Sequence, residues 1–599
     1  MTTRVTGSPA AQTLTGMFAT SVRTWPDRPA VSDGDTILSY ADLDRRSAAL
    51  AEDLRARAIG AEDRVGVYLD RSVELVVAIL GILRAGAAYV AVDARYPDGR
   101  RDHMLVAAGC KLVVTRADWS QRIAHLGLEE LAFRSEATAA AAVMDHADPA
   151  GAASVLFTSG SAGRPKAIVL EHRNIVSFAT NPSLPELTPD DRVGQISSVS
   201  FDAFHFELWT TLYRGAETVV LPAVPELLAA DFRREMRRRR ITAMLVPTMV
   251  INQVIREDRD AFAALRILQA GGDVLLPSSC RDLLHGEFRG ELYNLYGPAE
   301  ATTACTAHRV TAEDAEQDTI PIGRPLAGVT VLLLGDGLRS VPDGEIGEIH
   351  IGGPGVARGY LDAPELTRQQ FVADPRPDGP DRLYRTGDLA RRRPDGVLEF
   401  VGRVDGQVKI RGYRVEPGEV ERSLCRSRGV REAVVLPSGE GENRHLLAVV
   451  VPAEDTTLRD IQEFARAELP DYLVPSQFAL VEEIPSNEHG KRDLAALHEI
   501  ADGVRERRER HVAPRTEVEL YLAELWEELL GVENVGANED IFALGGHSLL
   551  AFRMHSQVER RFGVSVELAA VLRDPVLADV AALVDQARGE QARAAGAGA

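Results

Sequence analysis

Cysteine is scarce: the 599 residues hold four, Cys110, Cys280, Cys305 and Cys425, far apart, with no CxxC pair and no histidine at metal-ligand spacing. That excludes a disulfide framework and a zinc site, and it fits a reduced, cytoplasmic compartment. Positive charge is short as well. Lys and Arg number 68 against 89 Asp and Glu, a formal charge of −21, which argues against a nonspecific nucleic-acid binder because neutralising phosphates needs a basic surplus. The one basic cluster, RREMRRRR from Arg233 to Arg240, has no interleaved aromatics and reads as a solvated helix face rather than an RNA contact. Long apolar runs are also missing. The most apolar stretch, Val73 to Val92, is broken by Glu74 and Arg84, so it reads as a buried helix and a strand, not a membrane span. The opening MTTRVTGSPAAQ lacks the apolar core of a secretory signal. No internal repeat of solenoid length is present.

What is present is a chain long enough for several domains, with an ordinary 45% hydrophobic and 26% charged composition. RVGVYLD (64–70), AYVAVD (88–93) and KLVVT (111–115) are short β-branched runs, and SVELVVAILGILRAG between the first two has helical apolar spacing. Strands alternating with helices predict parallel sheets covered on both faces, a texture that continues to about residue 400. The polar, glycine-bearing GRVDGQVKIRG (402–412) suits a crossing between domains. A smaller α/β region runs from there to about residue 500, followed by the charged linker VRERRERHVAPRT. Beyond it the pattern is helical: TEVELYLAELWEELLGV has a capping box, Thr516 with Glu519, ahead of Leu520, Leu522, Leu525, Trp526, Leu529 and Leu530. The terminal GEQARAAGAGA reads as a disordered tail.

Glycine, serine and threonine concentrate in LFTSGSAGRPKAIV (156–169), where small residues and Lys166 suit an anion. It is not a Walker loop, since Pro165 precedes Lys166 and Ala167 follows it, and the flanks SVLF and KAIVL are strand-like rather than the start of a helix.

Taken singly, such segments are also what turns look like. In order they are LSYADL (38–43), LRAGAAYVAVD (83–93), LFTSGSAGRPK (156–166), FDAFHFE (201–207), NLYGPAE (294–300), GEIHIGGPGVARGY (347–360), LYRTGDLARR (383–392), GRVDGQVKIRGYRVE (402–416), LPDYLVP (469–475) and HGKRDL (489–494). In this order the set resembles the adenylation domains of nonribosomal peptide synthetases, and DIFALGGHSLLA (540–551) resembles the attachment site of the peptidyl carrier protein that follows them. The resemblance spans nearly the whole chain. It implies an α/β fold with a large N-terminal adenylate-forming core (1–404) that includes a small β-rich lobe. A smaller mobile α+β subdomain (405–502), a linker (503–514), an all-α four-helix carrier (515–588) and a tail (589–599) would follow.

The resemblance also implies roles. Thr158, Ser159, Gly160, Ser161, Gly163 and Lys166 match the loop over the ATP phosphates, and Glu300 matches the glutamate that holds Mg²⁺. Asp388 matches the acceptor for the ribose hydroxyls, a task suited to a bidentate carboxylate, with Arg403 as a second ribose or phosphate contact. Asn294, Tyr296 and Gly297 match the adenine side. Lys491 matches the catalytic lysine that bridges the substrate carboxylate and the α-phosphate, where an ammonium with three donors can contact two oxyanions. Asp405 matches the hinge, and Ser548 the residue that carries 4′-phosphopantetheine. Read alone, Asp388 and Asp405 are turn residues, Lys491 a surface lysine and Ser548 an N-cap.

Asp202 matches the aspartate that pairs with a substrate α-ammonium, which selects amino acids over plain carboxylic acids. The remaining lining, matched residue by residue, is Ala203, Phe206, Met244, Leu268, Ala270, Leu295, Thr303 and Ala304. With one hydroxyl and no charge in that set, an aliphatic substrate is expected, leucine first and valine or isoleucine next. Four positions depart from the family pattern: Phe157, Ala167, Ala299 and Glu488. Ala299 replaces a threonine whose hydroxyl would serve the adenylate phosphate.

Competing interpretations are an acyl-CoA or fatty-acid ligase of the same fold, a catalytically silent scaffold, and an aminoacyl-tRNA synthetase. HIGG (350–353) has no KMSKS-like companion for the last, and the charge is wrong for tRNA. Neither a condensation nor a thioesterase segment accompanies the motifs, so the expectation is a freestanding loading module. Its implied partners are a phosphopantetheinyl transferase, a downstream condensation or tailoring enzyme and an MbtH-like helper, with no nucleic acid and no membrane.

Overall fold

A computed structural model describes residues 12–599 apart from 35, 135–146, 159–164, 230, 405–407, 411–412, 440–443, 454–455, 486–495, 498, 501–511, 531, 533–534, 542–543, 545–547, 565, 567–569, 572–574 and 597–599. The chain forms two compact units. One takes Met1–Gly160, Pro165–Pro222 and Arg233–Gly406; the other takes Ser161–Arg164, Ala223–Phe232 and Gln407–Ala599.

In the first unit the β-branched runs become the parallel strands Arg64–Tyr68, Ala88–Ala91 and Leu112–Thr115 of a seven-stranded sheet. The apolar run between the first two is the helix Val73–Ala85. Ser72 caps its start and Gly86 closes it at φ 93, a left-handed conformation that glycine adopts without Cβ strain. The same sheet holds β1 (Ala152–Thr158) and β2 (Lys166–Glu171), antiparallel, with Thr158 directly opposite Lys166. The segment 159–165 is therefore the connection between two strand ends.

A nine-stranded sheet supplies the second layer. Its centre is five parallel strands, β3 (Arg192–Gln195), β4 (Glu217–Val220), β5 (Ala243–Pro247), β6 (Ile267–Gly271) and β7 (Glu291–Tyr296), in spatial order β7-β6-β5-β3-β4. The connection from β3 to β4 runs one way along the sheet, and those from β5 to β6 and from β6 to β7 run the other. Right-handed crossovers then place the two groups of helices on opposite faces. The β3–β4 connection contains the π-helical turn Phe206–Thr210; the others are α1 (Thr248–Glu257) and α2 (Pro277–His285). The order reverses between β3 and β5, and the crevice beyond the carboxyl ends of strands at such a reversal is where open α/β sheets bind ligands.

A five-stranded antiparallel lobe completes this unit and contains the paired β8 (Arg382–Arg392) and β9 (Leu398–Arg403). The arginine cluster is engaged in ion pairs, Arg238 and Arg239 with Glu235 and Arg233 with Glu287, as befits a solvated face.

The second unit opens with the hairpin Val408–Ile410 and Tyr413–Val415, then a three-stranded sheet of Val430–Ser438, His445–Pro452 and Gln477–Leu480. Three described helices follow, α3 (Glu517–Leu530), α4 (Ser548–Phe562) and α5 (Leu577–Gly596). At the start of α3 the capping box is present, with Glu519 N–H donating to Thr516 Oγ1 and Thr516 N–H to Glu519 Oε2, each at 3.1 Å. Trp526, Met554 and Val580 share their core, and the Trp526 indole donates to Met554 Sδ at 2.9 Å. No described helix is long and apolar enough to cross a membrane.

Candidate active site

The end of β7 and the lobe meet at a buried carboxylate. Asp388 on β8 faces Arg403 on β9 in the strand register, and the guanidinium donates to its Oδ1. Tyr296, the last residue of β7, donates its hydroxyl to Asp388 Oδ2 at 2.6 Å, while the Asp388 N–H is held by Thr386 Oγ1 at 2.9 Å. Burial and the neighbouring carboxylate keep the Tyr296 phenol protonated, its pKa well above the usual value. Gly297 follows. A Cβ there would lie 2.6 Å from Ala304 Cα and 2.8 Å from Cys305 N, so only glycine lets the chain fold back along 303–305. Asn294 is buried and its Nδ2 donates to Pro321 O at 2.8 Å.

Thr158 and Lys166 sit at the facing ends of β1 and β2. Lys166 Nζ lies 5.8 Å from the centre of the Tyr360 ring, and the Tyr360 hydroxyl donates to Glu300 Oε1 at 2.8 Å. Tyr360 thus links an ammonium to a carboxylate that is itself 1% exposed. Only its place at the end of GGPGVARGY marks it in the sequence. Glu300 fits Mg²⁺ as a single protein carboxylate, since that ion takes one or two carboxylates and fills its octahedron with phosphate oxygens and water. Among the described residues no group of three acidic, His or Cys side chains is placed to hold a metal by itself. Ser159, Gly160, Ser161 and Gly163 lie outside the described residues, as do Lys491 and Asp405.

Beyond β3 the chain is tied to the next helical turn by Glu207, whose Oε1 accepts from Ile196 N–H at 3.1 Å and Ser197 N–H at 3.0 Å. This anchor fixes the turn that carries Asp202. Asp202 keeps a partly open surface while protein surrounds its carboxyl. Burial first, and the negative charge of Glu300 second, push its pKa up to about 7. Thr303 donates to Asp202 O at 2.8 Å, and its hydroxyl oxygen lies 3.3 Å from His205 Nδ1. His205 is fully buried, and burial pushes its pKa down to about 3, so the ring is neutral. Thr302 and Thr303 both have positive φ, 60° and 70°. Left-handed backbone at two successive β-branched residues is strained, the kind of strain that concentrates at functional sites.

The expected side-chain lining divides. Ala203, Phe206, Leu295 and Ala304 pack in one cluster with Ala243, Leu245 and Ile267, on the sheet face covered by the Phe206 turn. Met244, Leu268 and Ala270 do not join them. Side chains alternate along a strand, and Met244 pairs with Leu268 one step out of phase with Leu245, which pairs with Gln269. Their face is the one covered by α1 and α2, and a Cβ on Gly194 would meet Met244 Cγ at 3.2 Å there. Leu245, Gln269 and Gly271 stand on the face of that cluster, with Gly271 opposite Leu295.

In the second unit Ser548 opens α4, although its side chain lies outside the described set. A helix N-terminus suits a phosphodiester, since backbone N–H groups point at it.

Residues 18–361 match the family described as AMP-binding enzyme, 419–491 its C-terminal domain, and 521–584 the phosphopantetheine attachment site. The chain belongs to the AMP-binding enzymes, as an amino-acid-adenylating ligase with a carrier domain. Gramicidin S synthase 2 of Brevibacillus brevis is 36% identical over 585 residues, which is 96% of this chain and 13% of that protein. Phosphinothricin tripeptide synthetase PhsC of Streptomyces viridochromogenes is 36% identical over 591 residues, 97% of this chain and 54% of that protein. The chain thus spans about half, or far less, of these relatives. A solved structure of holo-PA1221, titled an NRPS protein containing adenylation and PCP domains, is similar at TM-score 0.82 and 30% identity, covering 96% of this chain and 97% of that one.

Proposed function

We propose that the chain joins the carboxylate of an α-amino acid to the α-phosphorus of ATP, releasing pyrophosphate, and then passes the aminoacyl group from AMP to a thiol carried on Ser548. The observation that carries this is Asp202: a carboxyl enclosed by protein, beside Glu300 and on the turn that holds Phe206 over the sheet, is set to gain from an incoming ammonium. Asp388 with Tyr296 and Arg403 accepts the ribose. Lys166, Thr158 and the loop between β1 and β2 meet the phosphates, and Glu300 would hold Mg²⁺, which screens the repulsion between carboxylate and triphosphate. Lys491 neutralises charge as it builds up in the transition state. Rotation about Asp405 withdraws it for the second half-reaction. Bound phosphopantetheine supplies the nucleophilic thiol; Ser548 supplies its point of attachment.

The apolar walls, Ala203, Phe206, Leu295 and Ala304, support an aliphatic side chain in the substrate, leucine first and valine or isoleucine next. As in the named relatives, the product would feed nonribosomal synthesis of a peptide such as an antibiotic, in the cytoplasm. A phosphopantetheinyl transferase would act beforehand, a condensation or tailoring enzyme afterwards, and an MbtH-like protein would assist.

Amino-acid-dependent ATP–pyrophosphate exchange tests the first step, and the mass of the loaded carrier tests the second. Exchange driven by fatty acids and not amino acids favours the acyl-CoA ligase, and none with either favours the silent scaffold.

A further inference from the structure

We infer that Tyr360 is a positioning residue for the adenylation reaction: its hydroxyl holds one oxygen of Glu300 and leaves the other to the metal, so that the site takes Mg²⁺ and disfavours Ca²⁺. This rests on the adenylation proposed above.

Tyr360 is buried, and its backbone is fixed independently of its side chain. It pairs with Ile168 on β2, and its N–H donates to Thr367 Oγ1 at 3.0 Å. The ring packs against Phe371, centroid to centroid 5.7 Å at an interplanar angle of 71°. From that place the hydroxyl donates to Glu300 Oε1 at 2.8 Å. The same stretch of chain also holds Glu300 by its backbone, since Ala357 N–H donates to Glu300 O at 2.9 Å. The stretch is itself pinned. Asn174 Nδ2 donates to Pro354 O at 2.7 Å and Val356 O at 3.0 Å, and the Thr302 hydroxyl donates to Gly355 O at 2.7 Å. One segment, 354–360, thus grips Glu300 at both ends, and the carboxylate cannot turn without breaking a hydrogen bond to a fixed ring.

The grip lies on the phosphate side. Lys166 Nζ is 5.8 Å from the centre of the Tyr360 ring, within reach of cation–π attraction. Lys166 and Ala299, the chain neighbour of Glu300, both keep partly open surfaces. Glu300 therefore sits one layer beneath the surface on which the triphosphate is expected.

A phenol that donates to one carboxylate oxygen draws charge from it, which leaves the other oxygen as the stronger ligand and fixes its direction. Mg²⁺ suits that arrangement, because a single carboxylate oxygen with phosphate oxygens and water completes its strict octahedron. Ca²⁺ takes more oxygens at longer range and gains from a carboxylate free to give both of its own. Tyr360 withdraws the second oxygen, and among the described residues no group of three acidic, His or Cys side chains is placed to replace it.

The test is calorimetric titration of the full chain with ATP in Mg²⁺, in Ca²⁺ and in EDTA. Tyr360→Phe keeps the ring and removes the hydroxyl. It should narrow the ratio of ATP affinity in Mg²⁺ to that in Ca²⁺ by about tenfold to a hundredfold, the usual cost of removing a group that orients a metal ligand, and leave affinity in EDTA unchanged. Loss of packing alone would lower affinity in all three media alike. Adding Tyr360→Phe to Glu300→Gln should move the ratio no further than Glu300→Gln does by itself, since the one residue acts through the other. Should Tyr360→Phe fail to fold, 3-fluorotyrosine in place of Tyr360, a stronger donor on nearly the same ring, should widen the ratio. A ratio unmoved by either change, or further loss in the double variant, overturns this inference. Pyrophosphate exchange by the parent, read alongside, separates the two proposals: exchange with an unmoved ratio leaves the adenylation standing, and exchange with no amino acid overturns both.

Discussion

Tyr296 and Asp388 are joined by a 2.6 Å hydrogen bond that runs from the end of a parallel strand to the β-rich lobe, with Arg403 on the other carboxylate oxygen. Both oxygens are thereby fixed before a ribose arrives. Tyr296→Phe removes one donor to a charged acceptor, an interaction worth about 1.5 to 3 kcal/mol. The expected outcome is a KM for ATP raised roughly tenfold or more with kcat little changed, the pattern of lost uniform binding. Asp388→Ala should also lower thermal stability, because it strands a mostly buried Arg403.

Asp202 predicts a pH dependence. Its carboxyl is pushed up to about 7, so the free protein carries it largely protonated below that pH, and an ammonium needs the carboxylate. Amino-acid binding measured without ATP should weaken about tenfold per pH unit below 7 and level off above it. Glu300→Gln removes the second cause of the shift and should move the midpoint down. For stability the sign is opposite. A folded-state pKa raised above the unfolded value favours folding at low pH, and that contribution is lost as pH rises through 7. Asp202→Asn should therefore melt higher than the parent at pH 8, by a smaller margin at pH 5, and level with it only below the ordinary carboxyl value of 3.8, read by calorimetry.

The strands near Val65, Val90 and Val113, the helix Val73–Ala85 and the capping box of α3 are visible in the sequence because each has a local cause: β-branching, apolar spacing or a reciprocal cap. Which face of β5 and β6 each residue takes has no such cause. Strands buried on both faces read as continuous apolar runs, so AMLVP and ILQAG give no alternation from which to choose between Met244 and Leu245, or between Leu268 and Gln269. Only the register with β7 and the cover of the Phe206 turn sorts these residues between the two faces. Tyr360 was not detectable, since its link to Glu300 depends on a short strand, Gly359–Tyr360, pairing with β2 from far along the chain.

Ala299 opens a 3₁₀ turn, Ala299–Ala301, that also carries Glu300, and it is half-buried beside the expected phosphate path. Threonine at this place would add a hydroxyl donor. Ala299→Thr should raise the adenylation kcat by roughly tenfold to a hundredfold, the rate equivalent of about 1.5 to 3 kcal/mol for a hydrogen bond to a charged group. Single-turnover formation of the aminoacyl adenylate checks it, and an unchanged rate would mean that the backbone of this turn already supplies the contact.

Ser548 separates the two half-reactions. It opens α4 in the second unit, whereas Asp202, Glu300 and Asp388 all belong to the first, so removing its hydroxyl takes away the attachment point without touching the groups that bind ATP and amino acid. Ser548→Ala should leave amino-acid-dependent pyrophosphate exchange within about twofold of the parent, because it changes none of the groups proposed to bind ATP or the amino acid. The same variant, incubated with a phosphopantetheinyl transferase and coenzyme A, should show no mass increase and no aminoacyl thioester. If thioester still forms on the variant, a different residue carries the thiol; if exchange collapses, the carrier contributes to the first step and the two half-reactions are not independent.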